Sequence, residues 1–183
     1  MALFLLTLAG CGRQPAEPRE QTPQEYAAAR ERDINYAGPT WAQRLAAMPG
    51  DDDIDRAIAL AKSLPDYDFG AVDFLGNELV AKRDPRIVAA LMDTVSNAAF
   101  PARNRAAEAL AKANVHEART VILWQLGKSP NFAGDLVAAL GQLGDESTVR
   151  QLSDLASNTD NELVRSNANR AKHFIAVRMA KAQ

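Results

Sequence analysis

Pro101-Ala102-Arg103-Asn104-Arg105-Ala106-Ala107-Glu108-Ala109-Leu110-Ala111-Lys112-Ala113-Asn114 is the stretch whose reading decides the fold. Alanine is the strongest helix former, and Leu, Arg, Lys and Glu follow it closely. The run therefore predicts a helix over 102–113, entered after a proline and stopped at an asparagine. An apolar segment through Val121, Ile122 and Leu126 predicts the next helix. Ala138-Ala139-Leu140-Gly141-Gln142-Leu143-Gly144-Asp145 then closes a second copy. Val80, Leu110 and Leu140 share one interval (110 − 80 = 30; 140 − 110 = 30). Met92, Ile122 and Leu152 keep that interval, and so do the breakers Asp84, Asn114 and Gly144. About thirty residues hold two helices of about 11 residues and two short turns. One such hairpin cannot bury its apolar faces alone, whereas stacked neighbours can. An ordinary helix bundle has no reason to place its turns at a fixed period.

The repeats carry a resemblance. Asp160-Asn161-Glu162-Leu163-Val164-Arg165-Ser166-Asn167-Ala168-Asn169-Arg170-Ala171 contains a Val-Arg pair followed by two alanines at three-residue spacing. Arg103, Ala106, Ala109 and Leu110 match it in the earlier copy, with Ala102 in place of the valine. Ala139-Leu140-Gly141 with Gly144-Asp145 matches the tail. The segments resemble HEAT-type repeats, of the short bacterial kind also found in the phycobilisome-lyase-like group. Their second helix is similar to Asp-x-x-Val-Arg-x-x-Ala-x-x-Ala-Leu-Gly followed by a Gly-Asp turn. The resemblance spans Phe69 to Arg178. It implies an all-α fold, a right-handed α-solenoid of stacked antiparallel helix pairs. It also implies that Arg103 and Arg165 bond within or between repeats. The other reading of these two arginines is a basic strip that binds an acidic partner.

The N-terminus is of a different kind. Residues 1–10 are uncharged and apolar, too short to span a bilayer, which takes about 20 apolar residues. They read as a signal-peptide core. Leu8-Ala9-Gly10-Cys11 resembles the lipobox of bacterial lipoproteins, which implies cleavage between Gly10 and Cys11 and a lipid on the Cys11 thiol. No Lys or Arg precedes Cys11, so the true start is expected further upstream. Multiple acyl chains would hold the protein firmly, where a single one holds it only marginally. Gly12 after the cysteine is similar to an outer-membrane sorting pattern, so the protein is expected in the cell envelope facing the periplasm. Residues 11–24 carry three prolines (Pro15, Pro18, Pro23), mixed charge and no apolar periodicity, and read as a flexible tether. Residues 25–183 form the helical domain.

Within that domain the punctuation is legible. Thr40 and Gln43 make a capping-box pattern. Asp51-Asp52-Asp53 opens a helix carrying Ile54, Ala57, Ile58 and Ala61. A calcium loop would need alternating oxygen ligands, a central glycine and a later glutamate, so the three aspartates read as capping charges. The next helix, 69–82, is expected to bury Val72, Leu75, Leu79 and Val80. Pro85 starts another, with Ile87, Val88, Leu91, Met92 and Val95 as its apolar stripe. Asn114 with Glu117, and Thr159 with Glu162, read as capping boxes. Trp124 is expected to cover the junction between repeats. The last helix buries Val164, Ala168, Ala171 and Ile175, and its basic end with Lys172, Arg178 and Lys181 reads as the polar cap of the stack.

Chemistry is scarce. One cysteine excludes an internal disulfide and a multi-cysteine metal site. The two histidines, His116 and His173, stand far apart without a His-Glu-x-x-His pattern. No nucleophile elbow or phosphate-cradling loop occurs. The formal net charge of −2 provides no electrostatic footprint for nucleic acid. The expectation is a non-catalytic protein without cofactor or metal, anchored to the membrane by lipid and acting as a scaffold or adaptor for a protein partner. The competing expectations are an accessory or lyase-like protein related to bilin lyases, and a structural cell-wall-associated protein.

Overall fold

The computed structural model describes residues 39–63 and 69–182. The expected lipobox with Gly10 and Cys11 and the expected tether lie outside these residues. The described residues form nine α-helices and no strand: α1 (Trp41–Ala46), α2 (Asp53–Ala61), α3 (Phe69–Lys82), α4 (Pro85–Asn97), α5 (Ala102–Lys112), α6 (Arg119–Lys128), α7 (Gly134–Leu143), α8 (Glu146–Asn158) and α9 (Glu162–Lys181). A 3₁₀ turn, His116–Ala118, precedes α6.

Local chemistry sets the starts. Thr40 and Gln43 form the expected capping box of α1. Asp52 caps α2, its side chain accepting from the Asp55 amide at 2.8 Å. Asp84 caps α4 with Pro85 at the first position, where a proline loses nothing because that N–H is unpaired anyway. Asp145 caps α8 in a reciprocal box with Thr148. Two starts differ from expectation. The α9 cap is Asn161, whose side chain accepts from the Leu163 and Val164 amides, and not Thr159. Asn114 caps no helix start. It ends α5 in the left-handed region with φ 54°, its amide bonded to the Ala111 carbonyl and the Val115 amide to the Leu110 carbonyl. That is the helix-stop role for which asparagine substitutes for glycine.

Packing alternates along the chain. Helices neighbouring in sequence pair as α2–α3, α4–α5, α6–α7 and α8–α9. Helices two places apart also touch, so that α3, α5, α7 and α9 form one layer and α2, α4, α6 and α8 a second. The contact is most extensive in the first of these layers. The core runs between the layers through Leu75, Leu79, Leu91, Leu110, Ile122, Leu136, Leu140 and Leu152, all essentially inaccessible. Burying one such side chain is worth about 1.5–3 kcal/mol.

Burial also corrects the register. Val80 is 55% exposed, and its neighbour Leu79 is the buried residue. Likewise Leu91 is fully buried while Met92 is only partly so. Leu79, Leu110 and Leu140 are therefore separated by 31 and 30 residues, and so are Leu91, Ile122 and Leu152. The true helix stops follow suit. Arg83 (φ 52°) and Asn114 (φ 54°) are the left-handed pair, 31 residues apart. Asp84 instead starts α4, so the breaker set of the sequence reading mixes a start with a stop.

Candidate functional site

Arg103 and Asn104 begin α5 and are buried, each 1% exposed. Asn104 Nδ2 donates to the Phe132 carbonyl at 2.6 Å and to Asp135 Oδ2 at 3.2 Å. The Arg103 guanidinium reaches the Asn131 carbonyl at 3.5 Å and Asn104 Oδ1 at 3.4 Å. From α9, the buried Asn167 donates to the Pro130 carbonyl at 3.0 Å. Three consecutive carbonyls of the α6–α7 connection are thus held from two different helices. Phe132, at φ 55°, stacks on Phe100 with ring centres 4.6 Å apart. Arg103 lies in this clasp between successive hairpins. Arg165 stays local: it pairs with Glu162 and donates to the Thr159 carbonyl at 2.9 Å. The two arginines are not brought together. In burial pattern the counterpart of Arg103 is Val164, which begins the buried face of α9.

A second clasp closes the C-terminal end of α7. Arg178 of α9 donates from Nε to the Gly141 carbonyl at 2.9 Å and from its terminal nitrogen to the Gly144 carbonyl. His116 Nδ1 lies 3.3 Å from the Leu143 carbonyl. Arg119 pairs with Asp145. Cations at a helix C-terminus complement its negative dipole end. The Ser147 hydroxyl, the Thr148 amide and hydroxyl and the Arg119 guanidinium together hold the Asp145 carboxyl well below the usual carboxylate range. The His173 ring lies beside that of the neighbouring Phe174, tilted at 6.2 Å. Among the described residues no group of three or more His, Cys, Asp or Glu could hold a metal ion.

Of the three aspartates that open α2, Asp52 reaches a partner at the start of α4, and Asp53 pairs with Arg56 inside the helix. Arg86, at the start of α4, bonds Asp52 at 3.0 Å, Asp55 at 2.8 Å and Asp84 at 2.8 Å. The Asp55 amide and then Arg86 hold the Asp52 carboxyl below its ordinary value, and the Arg86 guanidinium and then its amide do the same for Asp84. This cluster ties the start of one hairpin to the start of the next.

Two surfaces depart from expectation. Trp124 does not cover a junction: it is 51% exposed, with the Lys128 ammonium 4.9 Å from its ring centre. The last helix is not a purely polar cap either, since Leu163, Phe174 and Val177 stand exposed on it.

An open groove of about 540 Å³ lies where α3 ends, α4 begins and α5 turns into the 3₁₀ segment. Leu79, Val88, Met92 and Val115 supply its apolar lining, and Arg83 and Glu117 supply charge. Sequence reasoning missed this site because its lining comes from four elements. The one signal that marks it is an arginine in a helix-stop position. No protein-family model, curated protein or solved structure matches the chain. Among the described residues no helix is long and apolar enough to cross a membrane.

Proposed function

We propose that this chain is a non-catalytic binding scaffold, a right-handed α-solenoid of HEAT-like helix hairpins held at the cell envelope by a lipid on Cys11. The observation that carries the reading is the alternating packing: each of α3, α5 and α7 touches both its hairpin partner and the helix two places on. Stacked hairpins behave this way because each repeat contacts chiefly its neighbours. The clasp of Arg103, Asn104 and Asn167 on one connection supports it, since those bonds join successive hairpins. The anchor rests on Leu8-Ala9-Gly10-Cys11 and on Cys11 being the single cysteine of the chain. A tethered scaffold raises the effective concentration of a partner at the same membrane without new contacts.

The test is in-cell crosslinking of tagged protein, followed by capture and mass spectrometry, beside a Cys11→Ala control. One envelope protein captured reproducibly and lost in the control is the expected result. Capture of nothing above background would remove the scaffold reading. Metabolic labelling with a fatty acid tests the anchor separately: the wild type is expected to take up label and Cys11→Ala is not.

A further inference from the structure

The groove between the α3–α4 turn and the turn after α5 has the chemistry of a peptide site. Its volume, about 540 Å³, falls within the range of about 300–1,000 Å³ for ligand pockets. Four aliphatic or thioether side chains, Leu79, Val88, Met92 and Val115, line it. Arg83 and Glu117 enter it from the two successive turns. Among the described residues neither side chain makes an ion pair or a hydrogen bond, with the other or with anything else. This is unusual for their surroundings. Nearby Lys82 pairs with Glu78, and Arg86 holds three carboxylates. Arg83 also adopts φ 52°, a left-handed conformation that crowds an ordinary side chain against its own backbone. Asparagine takes the equivalent stop at Asn114 more cheaply. A strained, unpaired arginine at the rim of an apolar groove is the kind of outlier from which function is inferred.

We infer that this groove binds a short extended peptide with an apolar centre, an acidic residue on one side and a basic residue on the other. The acidic residue meets Arg83 and the basic residue meets Glu117, while the centre covers the half-buried Val88 and Met92 above a floor of Leu79 and Val115. A fatty acyl chain would leave Glu117 unmatched, and a nucleic acid would be repelled by it. The inference rests on the binding-scaffold reading and names the chemistry of the partner.

Fluorescence anisotropy with short capped peptides tests it. All share a Leu-Val-Leu centre and differ in their flanks: Asp and Lys, two Asp, or two Lys. The wild type is expected to bind the Asp–Lys peptide best, saturably below about 1 mM. Arg83→Glu makes both rim charges negative and is expected to prefer the two-Lys peptide. Glu117→Lys makes both positive and is expected to prefer the two-Asp peptide. Each switch should be at least about tenfold, since like charges face one another otherwise. Both side chains are exposed, and circular dichroism checks that the variants stay folded. Arg83→Gly should raise the melting temperature by relieving the left-handed strain, yet weaken the Asp–Lys peptide. Absence of saturable binding to the wild type, or a ranking that is the same in all variants, overturns the inference. Cellular crosslinking separates the two readings. A partner captured equally by wild type and both charge variants removes the groove and leaves the scaffold. Switching peptides with no cellular partner removes the scaffold and leaves the groove.

Discussion

At the scale of single residues, the polar contacts that matter are those made by buried amides. Asn104 and Asn167 are 1% and 4% exposed and hold the Phe132 and Pro130 carbonyls. Removing a buried hydrogen-bond partner leaves the other group desolvated and unpaired, which costs about 1–3 kcal/mol. Asn104→Ala and Asn167→Ala are each expected to lower stability in urea melts by about that amount. Both grip the same short connection, so the second cut should cost less than the first once the connection has loosened. A double-mutant cycle measures the shortfall, and strict additivity would contradict the shared clasp. Asp145 behaves differently because its contribution depends on charge. Its folded carboxyl lies below the ordinary value, held by Ser147, Thr148 and Arg119. The unfolded chain therefore binds the proton first as acid is added. The stabilisation is complete above the ordinary carboxylate value and is lost as the pH falls through the depressed folded one. Asp145→Asn is expected to flatten the acid limb of a stability–pH curve below about pH 4 and to leave the shape of the neutral region unchanged.

At the scale of the helix, close approach competes with propensity. Gly134 and Gly141 lie in the same ten-residue helix, α7. A Cβ at Gly134 meets nothing within 4 Å, whereas one at Gly141 would lie 2.7 Å from the Phe174 Cβ on α9. Alanine gains up to about 1 kcal/mol over glycine from helix propensity. Gly134→Ala is therefore expected to raise the melting temperature slightly. Gly141→Ala should lower it, because α7 and α9 must separate to admit the methyl group. Equal responses would show that the two helices do not touch as closely as described. The elements themselves were largely legible. The alanine-rich run predicted α5 to within a residue of its end, and the acidic and proline-led starts of α2 and α4 stand where they were expected. Boundaries failed where one residue type serves two roles. Asn114 is as good a helix stop as a helix start, and Asn161 competes with Thr159 two residues away. Val80 was misassigned because a one-residue lengthening between copies turns the buried position onto Leu79, and two adjacent apolar residues cannot be told apart by spacing. Arg83 was invisible as a stop, since arginine is a strong helix former. The groove it borders was invisible because its lining is gathered from four elements.

At the scale of the molecule, a stack and a bundle differ in how unfolding spreads. In a stack of hairpins the stability is close to a sum of repeat and nearest-neighbour contributions. Damage at one end should open that end first. Val164 and Ile175 bury the face of α9 that packs on the rest of the protein, at 2% and 0% exposure. Truncating a buried isoleucine to alanine costs about 2–5 kcal/mol. The double variant Val164→Ala/Ile175→Ala is expected to lose amide-exchange protection across α8 and α9, and next in α7, which α9 contacts as broadly as it does α8. Protection in α3 and α4 should stay near wild type, because no repeat separates them from their own neighbours. A bundle with one shared core would instead lose protection everywhere by the same free energy, the signature of a single cooperative unit. Uniform loss across α3 to α9 would count against the solenoid. A gradient falling from α9 towards α3 would support it. The Arg86 cluster adds a second prediction of the gradient's shape. It links the starts of α2 and α4 through Asp52, Asp55 and Asp84, so the protected end should include both helices and respond to Arg86→Ala while α9 does not.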